Sequence, residues 1–256
     1  MAIEAAQLRL LTWFSPAFPV GAFGYSHGLE TAIREGRVGT ADALEAWILG
    51  LLEHGSGWSD AVLFRLAWAA DPAEIAELGE LAEALAPSRE RHRETVQLGA
   101  AFVEAVRPWL AAEPLRRPPP QSLRDSSPAS GGASTAQILH RETGEVSAKP
   151  TEGAFGLSAP YPVAAGAACA AAGIPLAPAL AAWLHGFAAN LVSVAVRSVP
   201  LGQSNAVRVL ATLEPAILAV AQRAACATRD DLGACAFLSD IAAMRHETLQ
   251  PRLFIS

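Results

Sequence analysis

Residues Thr40–Gly57 read TADALEAWILGLLEHGSG. Leu44, Ile48, Leu51 and Leu52 recur at helical spacing, so one face of the segment is apolar and the other polar. Thr40 or Asp42 can cap its start, and the Gly55-Ser56-Gly57 run breaks it. The same grammar continues on both sides. Upstream, HGLETAIRE carries Glu30 near its start and Arg34 near its end, matching the helix dipole, with Gly36 placed to cap the C-terminus. Downstream, Ser59 begins DAVLFRLAWAA, whose Val62, Leu63, Leu66 and Ala70 share a face.

Asp71-Pro72-Ala73-Glu74 is a strong start signal, with Asp at the N-cap, Pro in the first turn and Glu three residues after the cap. Ser88 opens a long helix that Pro108 is expected to end, since proline cannot donate to the helical ladder. Further helices are expected at about Val163–Ala172, Pro178–Arg197, Ser204–Leu213, Pro215–Ala227 and Ser239–Thr248. No stretch alternates as a strand would. The predicted fold is all-α, a single-domain bundle of many short and medium helices spanning residues 1–256. Within it, the Pro/Ser/Gly-rich segment from about Leu115 to Pro150 has no apolar periodicity and reads as a flexible insertion.

Composition narrows the function. A chain of 256 residues that is 52% hydrophobic and only 17% charged has ample material for a core and more apolar surface than a monomer needs. With a formal charge of -6 and a single lysine, Lys149, it lacks the basic clusters that nucleic acid requires. The three cysteines have no C-x-x-C spacing, and MAIEAAQLRLL lacks the basic-then-apolar plan of a signal peptide. Both features point to the cytoplasm. From Gly153 to Val196 the chain has no Asp, Glu, Lys or Arg, which leaves a membrane segment open, although five Pro and Gly breaks and many alanines favour buried helices or a subunit interface.

The catalytic inventory is largely negative. There is no phosphate loop, no nucleophile elbow and no H-E-x-x-H zinc motif, and the six histidines are scattered. Three stretches stand apart from the helical background. SPAFPVGAFGYSHGLE, Ser15–Glu30, concentrates Pro, Gly and aromatic residues. VRSVPLGQSN, Val196–Asn205, turns one helix into another. SDIAAMRHETLQPRLFIS closes the chain with Arg245, His246 and Glu247 side by side and an apolar tail that should pack against something.

Together these stretches resemble the urease accessory protein UreF family. The family opens with a pattern like S-P-x-x-P-V-G-x-F-x-Y-S-x-G-L-E, continues with V-R-x-x-P-L-G-Q and closes with M-R-H-E-T, here SPAFPVGAFGYSHGLE, VRSVPLGQ and MRHET in the same order. The resemblance implies an all-α homodimer without catalytic activity of its own. It would act as a scaffold that joins UreD, also called UreH, to the GTPase UreG for nickel insertion into apo-urease (UreABC). A role in modulating that GTPase is left open. No cofactor is expected on the chain itself, nickel being handled by the complex.

On this basis Phe23, Tyr25, Gly28 and Glu30 are candidate partner contacts from the first motif, and Arg197, Gly202 and Gln203 from the second. Arg245, His246 and Glu247 are candidates for contact with the UreD-type partner. Phe18 and Phe23 could instead plug the core. Two other classes stay open from the residues alone: a helical enzyme assembled from His27, Glu30 and His246, and a membrane-associated helical protein.

Overall fold

The computed structural model describes residues 4–110 and 159–255. The predicted insertion, about 115–150, lies outside the described residues. Ten α-helices and two 3-10 turns follow one another among the described residues, with no strand. They are α1 (Ala5–Trp13), α2 (Leu29–Arg34), α3 (Ala41–His54), α4 (Ser56–Ala69), α5 (Pro72–Ala84), α6 (Arg89–Leu110), α7 (Tyr161–Ala171), α8 (Leu176–Ser198), α9 (Gln203–Ala225) and α10 (Phe237–His246).

The caps act where the sequence places them. The Thr40 side chain accepts from the Ala43 N–H, and Asp71 accepts from Ala73 and Glu74 while Glu74 returns a bond to the Asp71 N–H. Helix α1 was not anticipated; a reciprocal Glu4–Gln7 capping box starts it. The Gly-Ser-Gly run interrupts the chain for one residue only, because Gly55 ends α3 and Ser56 already begins α4.

Two predicted helix ends are overridden by packing. Pro108 lies inside α6, where the following Trp109 sits edge-on to Trp13 with centroids 6.0 Å apart. Packing that half-buried ring against Trp13 and Phe18 holds the helix past the proline. Pro215 likewise falls inside α9, which runs unbroken where two helices were expected. Its buried stripe of Ala206, Val209, Leu213, Ile217, Val220 and Ala224 keeps its period across the proline, whose own position is exposed, so the carbonyl left without a donor can face water.

Helix α7 is wedged between α4 and α6, and α8 lies against α9, α4 and α2. One contiguous apolar core results, with Trp13, Phe64, Phe102, Leu180 and Leu184 fully buried. The wedge is tight enough to demand glycine. A Cβ on Gly166 would lie 2.2 Å from the Phe64 carbonyl oxygen, and one on Gly99 would lie 2.0 Å from that of Ala159. Helices α8 and α9 are long and apolar enough to cross a membrane. Their sides are otherwise engaged: half of the apolar stretch of α8 is buried within the protein, and the exposed face of α9 carries Arg208, Glu214 and Arg223.

Gly166→Ala is expected to cost about 2 kcal/mol or more, because the obstacle is backbone rather than a movable side chain. Gly50→Ala, in the open interior of α3, is expected to gain about 0.5–1 kcal/mol. Denaturant titration of the two variants against the parent chain checks both signs.

Candidate functional site

The stretch Ser15–Glu30 is not helical for most of its length, and its irregularity has structural work to do. Phe14 stacks on Phe102 at 6.2 Å with planes 2° apart, and Phe18 meets the same ring edge-on at 5.8 Å. These contacts pin the segment's start to the core, as one of the two readings of Phe18 expected. The chain then turns through a 3-10 turn at Ala22–Gly24. Phe23, the other candidate plug, is instead exposed. Tyr25 is buried; its hydroxyl donates to Gln97 Oε1 at 2.8 Å and its carbonyl accepts from Asn190 Nδ2.

His27 and Gly28 both adopt the left-handed region, with φ of 50° and 75°, which swings the chain abruptly into α2. At Gly28 a Cβ would stand 2.6 Å from the Ala243 amide nitrogen and 2.9 Å from the Ser239 carbonyl oxygen. Only glycine lets the start of α2 touch the backbone of α10. Across the same contact the Ser239 hydroxyl donates to the His27 carbonyl.

Two clusters of buried charge flank this junction. In the first, His246 is fully enclosed between two carboxylates, with Nε2 3.0 Å from Glu30 Oε2 and Nδ1 2.7 Å from Glu90 Oε2. Glu30 also accepts from Arg34 Nη2 at 3.1 Å and from the backbone N–H groups of Leu253 and Phe254 at 2.8 and 3.0 Å. Arg252 closes the cluster on the other oxygen of Glu90. In the second, Glu94 is bonded to His27 Nε2 at 2.9 Å and to Arg91 Nη1 at 2.6 Å, while Arg91 Nη2 reaches Asp60 at 3.5 Å.

The electrostatics follow from these partners. Burial alone would raise the Glu94 carboxyl, but the charges of Arg91 and His27 and their hydrogen bonds outweigh it and hold the pKa at about 2. Burial of Glu30 is likewise outweighed, by the His246 hydrogen bond and the two tail N–H groups, so its pKa lies below the usual carboxylate range. Asp60 goes the other way: burial raises it, and the more distant Arg91 only partly opposes this.

The C-terminal triplet is divided among three neighbours. Arg245 Nη1 bonds Glu35 at 2.9 Å on the surface, His246 enters the buried cluster, and Glu247 accepts from the Arg89 N–H at the first turn of α6. That last contact places a carboxylate on the positive end of the helix. The apolar tail continues the fastening. Phe254 is buried beneath the Arg197 guanidinium, 4.6 Å from its ring centroid, and the Ile255 N–H donates to the Gly24 carbonyl at 2.7 Å. Arg197 also donates to the Phe23 carbonyl at 2.7 Å, so the three unusual stretches of the sequence meet here.

The predicted contact residues therefore separate by position. Phe23, Gly202, Gln203 and Arg245 are exposed, with Gly202 at the N-cap and Gln203 at the first position of α9. Arg197 and Glu247 are taken up in the contacts just described. Tyr25, Gly28, Glu30 and His246 are enclosed within this chain, where their side chains or backbone build the platform on which α10 and the tail rest. Residues that the sequence did not single out, Glu90, Arg91, Glu94, Asp60 and Arg252, complete both clusters. For Glu90, Arg91 and Glu94 the only signal was an unusual density of charge in RERHRE at the start of an amphipathic helix; Asp60 and Arg252 carried none.

A family model described as UreF matches residues 38–214. Over 253 residues, 98% of this chain, the sequence is 44% identical to a urease accessory protein UreF of Mesorhizobium japonicum, covering 96% of that protein. The chain belongs to the UreF family. A urease accessory protein UreF 1 of Brucella canis is 42% identical over 253 residues, covering 98% of this chain and 94% of that protein, and a UreF of Rhodopseudomonas palustris is 42% identical over 258 residues. The alternative of an enzyme built on His27, Glu30 and His246 gives way to membership of a family of accessory proteins. What those residues do in this UreF-family chain is hold its C-terminal elements in place.

Glu30→Ala is expected to cost about 3 kcal/mol or more, since it strands a buried imidazole and two backbone donors; chemical denaturation measures it. The pH dependence has a definite sign. Glu30 and Glu94 are depressed in the fold relative to about 4.5 unfolded, so their stabilisation is complete above that pH and is lost as pH falls through the folded values, to about 2 for Glu94. Glu94→Gln should flatten the acid limb of a stability profile recorded between about pH 5 and 2.

Proposed function

We propose that this chain is a non-catalytic scaffold of urease maturation, which joins a UreD (UreH) protein to the GTPase UreG so that the assembly delivers nickel to apo-urease. It works in the cytoplasm as a homodimer, and the nickel is carried by the assembly rather than by a resident site of this chain. Family membership and the names borne by its relatives support the accessory role. One structural observation supports docking: the outward face of α10 is apolar where a monomer would place polar residues.

Phe237, Leu238, Ile241 and Met244 are all exposed along that face, Phe237 by 70%. Leu253, also 70% exposed, lies on the tail that the Glu30 cluster holds, and Phe23 stands beside it through the Gly24–Ile255 bond. Exposed aromatic and aliphatic side chains gathered on a rigid base are the usual anchors of a protein interface. The rim is polar, with Arg245 and Thr248 exposed. The buried clusters matter to docking indirectly, because they hold the apolar face in one orientation and so lower the ordering cost of binding.

The reading is tested by co-expression with a tagged UreD homologue, with and without UreG, followed by size-exclusion chromatography with light scattering. A stoichiometric complex built on a dimer of this chain is expected. Phe237→Ser combined with Ile241→Ser should weaken that complex at least tenfold while leaving the helical circular dichroism unchanged, and Arg245→Ala should have a smaller effect. His246→Ala should act through loss of stability instead. A monomer indifferent to both partners would overturn the scaffold reading.

A further inference from the structure

The ring of His246 is placed so that it needs one more proton than a neutral histidine holds. Its Nε2 stands 3.0 Å from Glu30 Oε2 and its Nδ1 2.7 Å from Glu90 Oε2. An ionised carboxylate can only accept, whereas a neutral imidazole carries one N–H and one bare lone pair. A neutral ring would satisfy one of these carboxylates and set a lone pair against the other. Both contacts close on an imidazolium, which donates from each nitrogen.

The surrounding charges leave that role to the ring. Glu30 of α2 accepts from Arg34 on Oε1, and Glu90 of α6 accepts from Arg252 on Oε1, the pairing that a carboxylate makes as an anion. Glu30 takes two tail N–H groups as well, and its pKa lies below the usual carboxylate range although burial opposes this. The side chains of Arg34 and Arg252 are 33% and 38% exposed, so water shares their charge, while His246 is wholly buried between the two carboxylates. Other charges around α10 are engaged elsewhere. Arg245 bonds Glu35 at the surface, Glu247 accepts from the Arg89 N–H, and Asp240 lies in the field of Arg91. In the second cluster Arg91 is bonded to Glu94 and Asp60, and His27 to Glu94.

We infer that His246 is a proton-gated latch: as an imidazolium it bridges α2 and α6 and fastens α10 and the tail, and the loss of one ring proton opens it. Once the ring is neutral, Glu30 and Glu90 face each other without the buried cation between them, and one of them meets a lone pair. A buried charge deprived of its partner is strongly destabilising where it stands. The Leu253 and Phe254 N–H groups are bonded to the same Glu30 carboxylate, so the tail loosens with it. The latch is closed at lower pH and opens as pH rises through the titration of the ring, a task for which histidine chemistry is suited. Glu30 and Glu94 act in the opposite sense, their contribution being lost as pH falls, so the fastening is strongest between the two limits. The latch does not depend on the scaffold reading, since it is a property of the isolated chain, and it goes beyond that reading by making the hold on α10 a function of pH.

The test is a nuclear magnetic resonance titration of the full, isotopically labelled chain from about pH 5 to 9, following the ring nitrogens of His246 and the tail amides together. A doubly protonated ring is expected at the lower end and a neutral one at the upper. The protection of the Leu253 and Phe254 amides against exchange, corrected for the intrinsic effect of pH, should fall at least tenfold in step with that change. Glu90→Gln supplies the control, because its amide oxygen can still accept from Arg252 while its N–H donates to a neutral His246 Nδ1. In that variant the tail should stay protected across the range. A ring that is neutral at both ends, a ring that is doubly protonated at both ends, or tail amides unmoved through its titration would overturn the proposal, as would a Glu90→Gln chain that loosens as the parent does. Should that variant not fold, the titration of the parent chain decides by itself.

Discussion

The carboxylate of Glu30 is the constraint on which the arrangement of this protein rests. It is almost wholly removed from water and must be compensated within the chain. Arg34 of its own helix, His246 of α10 and the backbone of the C-terminal tail supply the donors. A charge so placed tolerates few geometries, because each donor must arrive from a different direction at hydrogen-bond distance. The positions of α2, α10 and the tail relative to one another are thereby tied to a single side chain.

The aromatic frame and the charged clusters divide the task of shaping the molecule. Phe14 and Phe18 bind the entry of the first motif to Phe102 in α6, a non-directional contact that sets distance more than angle. The hydrogen-bonded carboxylates then set direction, since Glu90 and Glu94 project from the same helix into the two separate clusters. Helix α6 thus works as a common spine: its apolar residues face the α7 wedge while its first turns receive the histidines and arginines that fasten the C-terminal elements.

Most of the helices could be read from caps and apolar periodicity, because those signals are local. Asp71-Pro72-Ala73-Glu74 behaves in the structure as it reads in the sequence. Pro108 and Pro215 did not, since the packing of Trp109 against Trp13 and of the buried stripe that crosses Pro215 offsets the cost of a proline in a helix, and that packing is a tertiary fact invisible in the local pattern. The site was legible in part. The motifs picked out Tyr25, Gly28, Glu30, Arg197 and His246 as a group, and the structure does bring them close, but a motif does not distinguish a residue that presents a surface from one that supports it. Glu90 and Glu94 were hidden because acidic residues in the first turns of a helix ordinarily face water.

The Glu30–His246 contact joins residues 216 positions apart, and the tail bonds to the same carboxylate span slightly more. Closing so long a loop is entropically costly before any contact rewards it. During synthesis, α2 and α6 emerge long before His246, Arg252 and the tail N–H groups that complete the shells of Glu30 and Glu90, and until then both carboxylates remain hydrated and their surroundings open. Completion of this fold is therefore reported by its C-terminal end: the apolar face of α10 can be presented in its final orientation only by a molecule whose N-terminal half has already formed correctly around it.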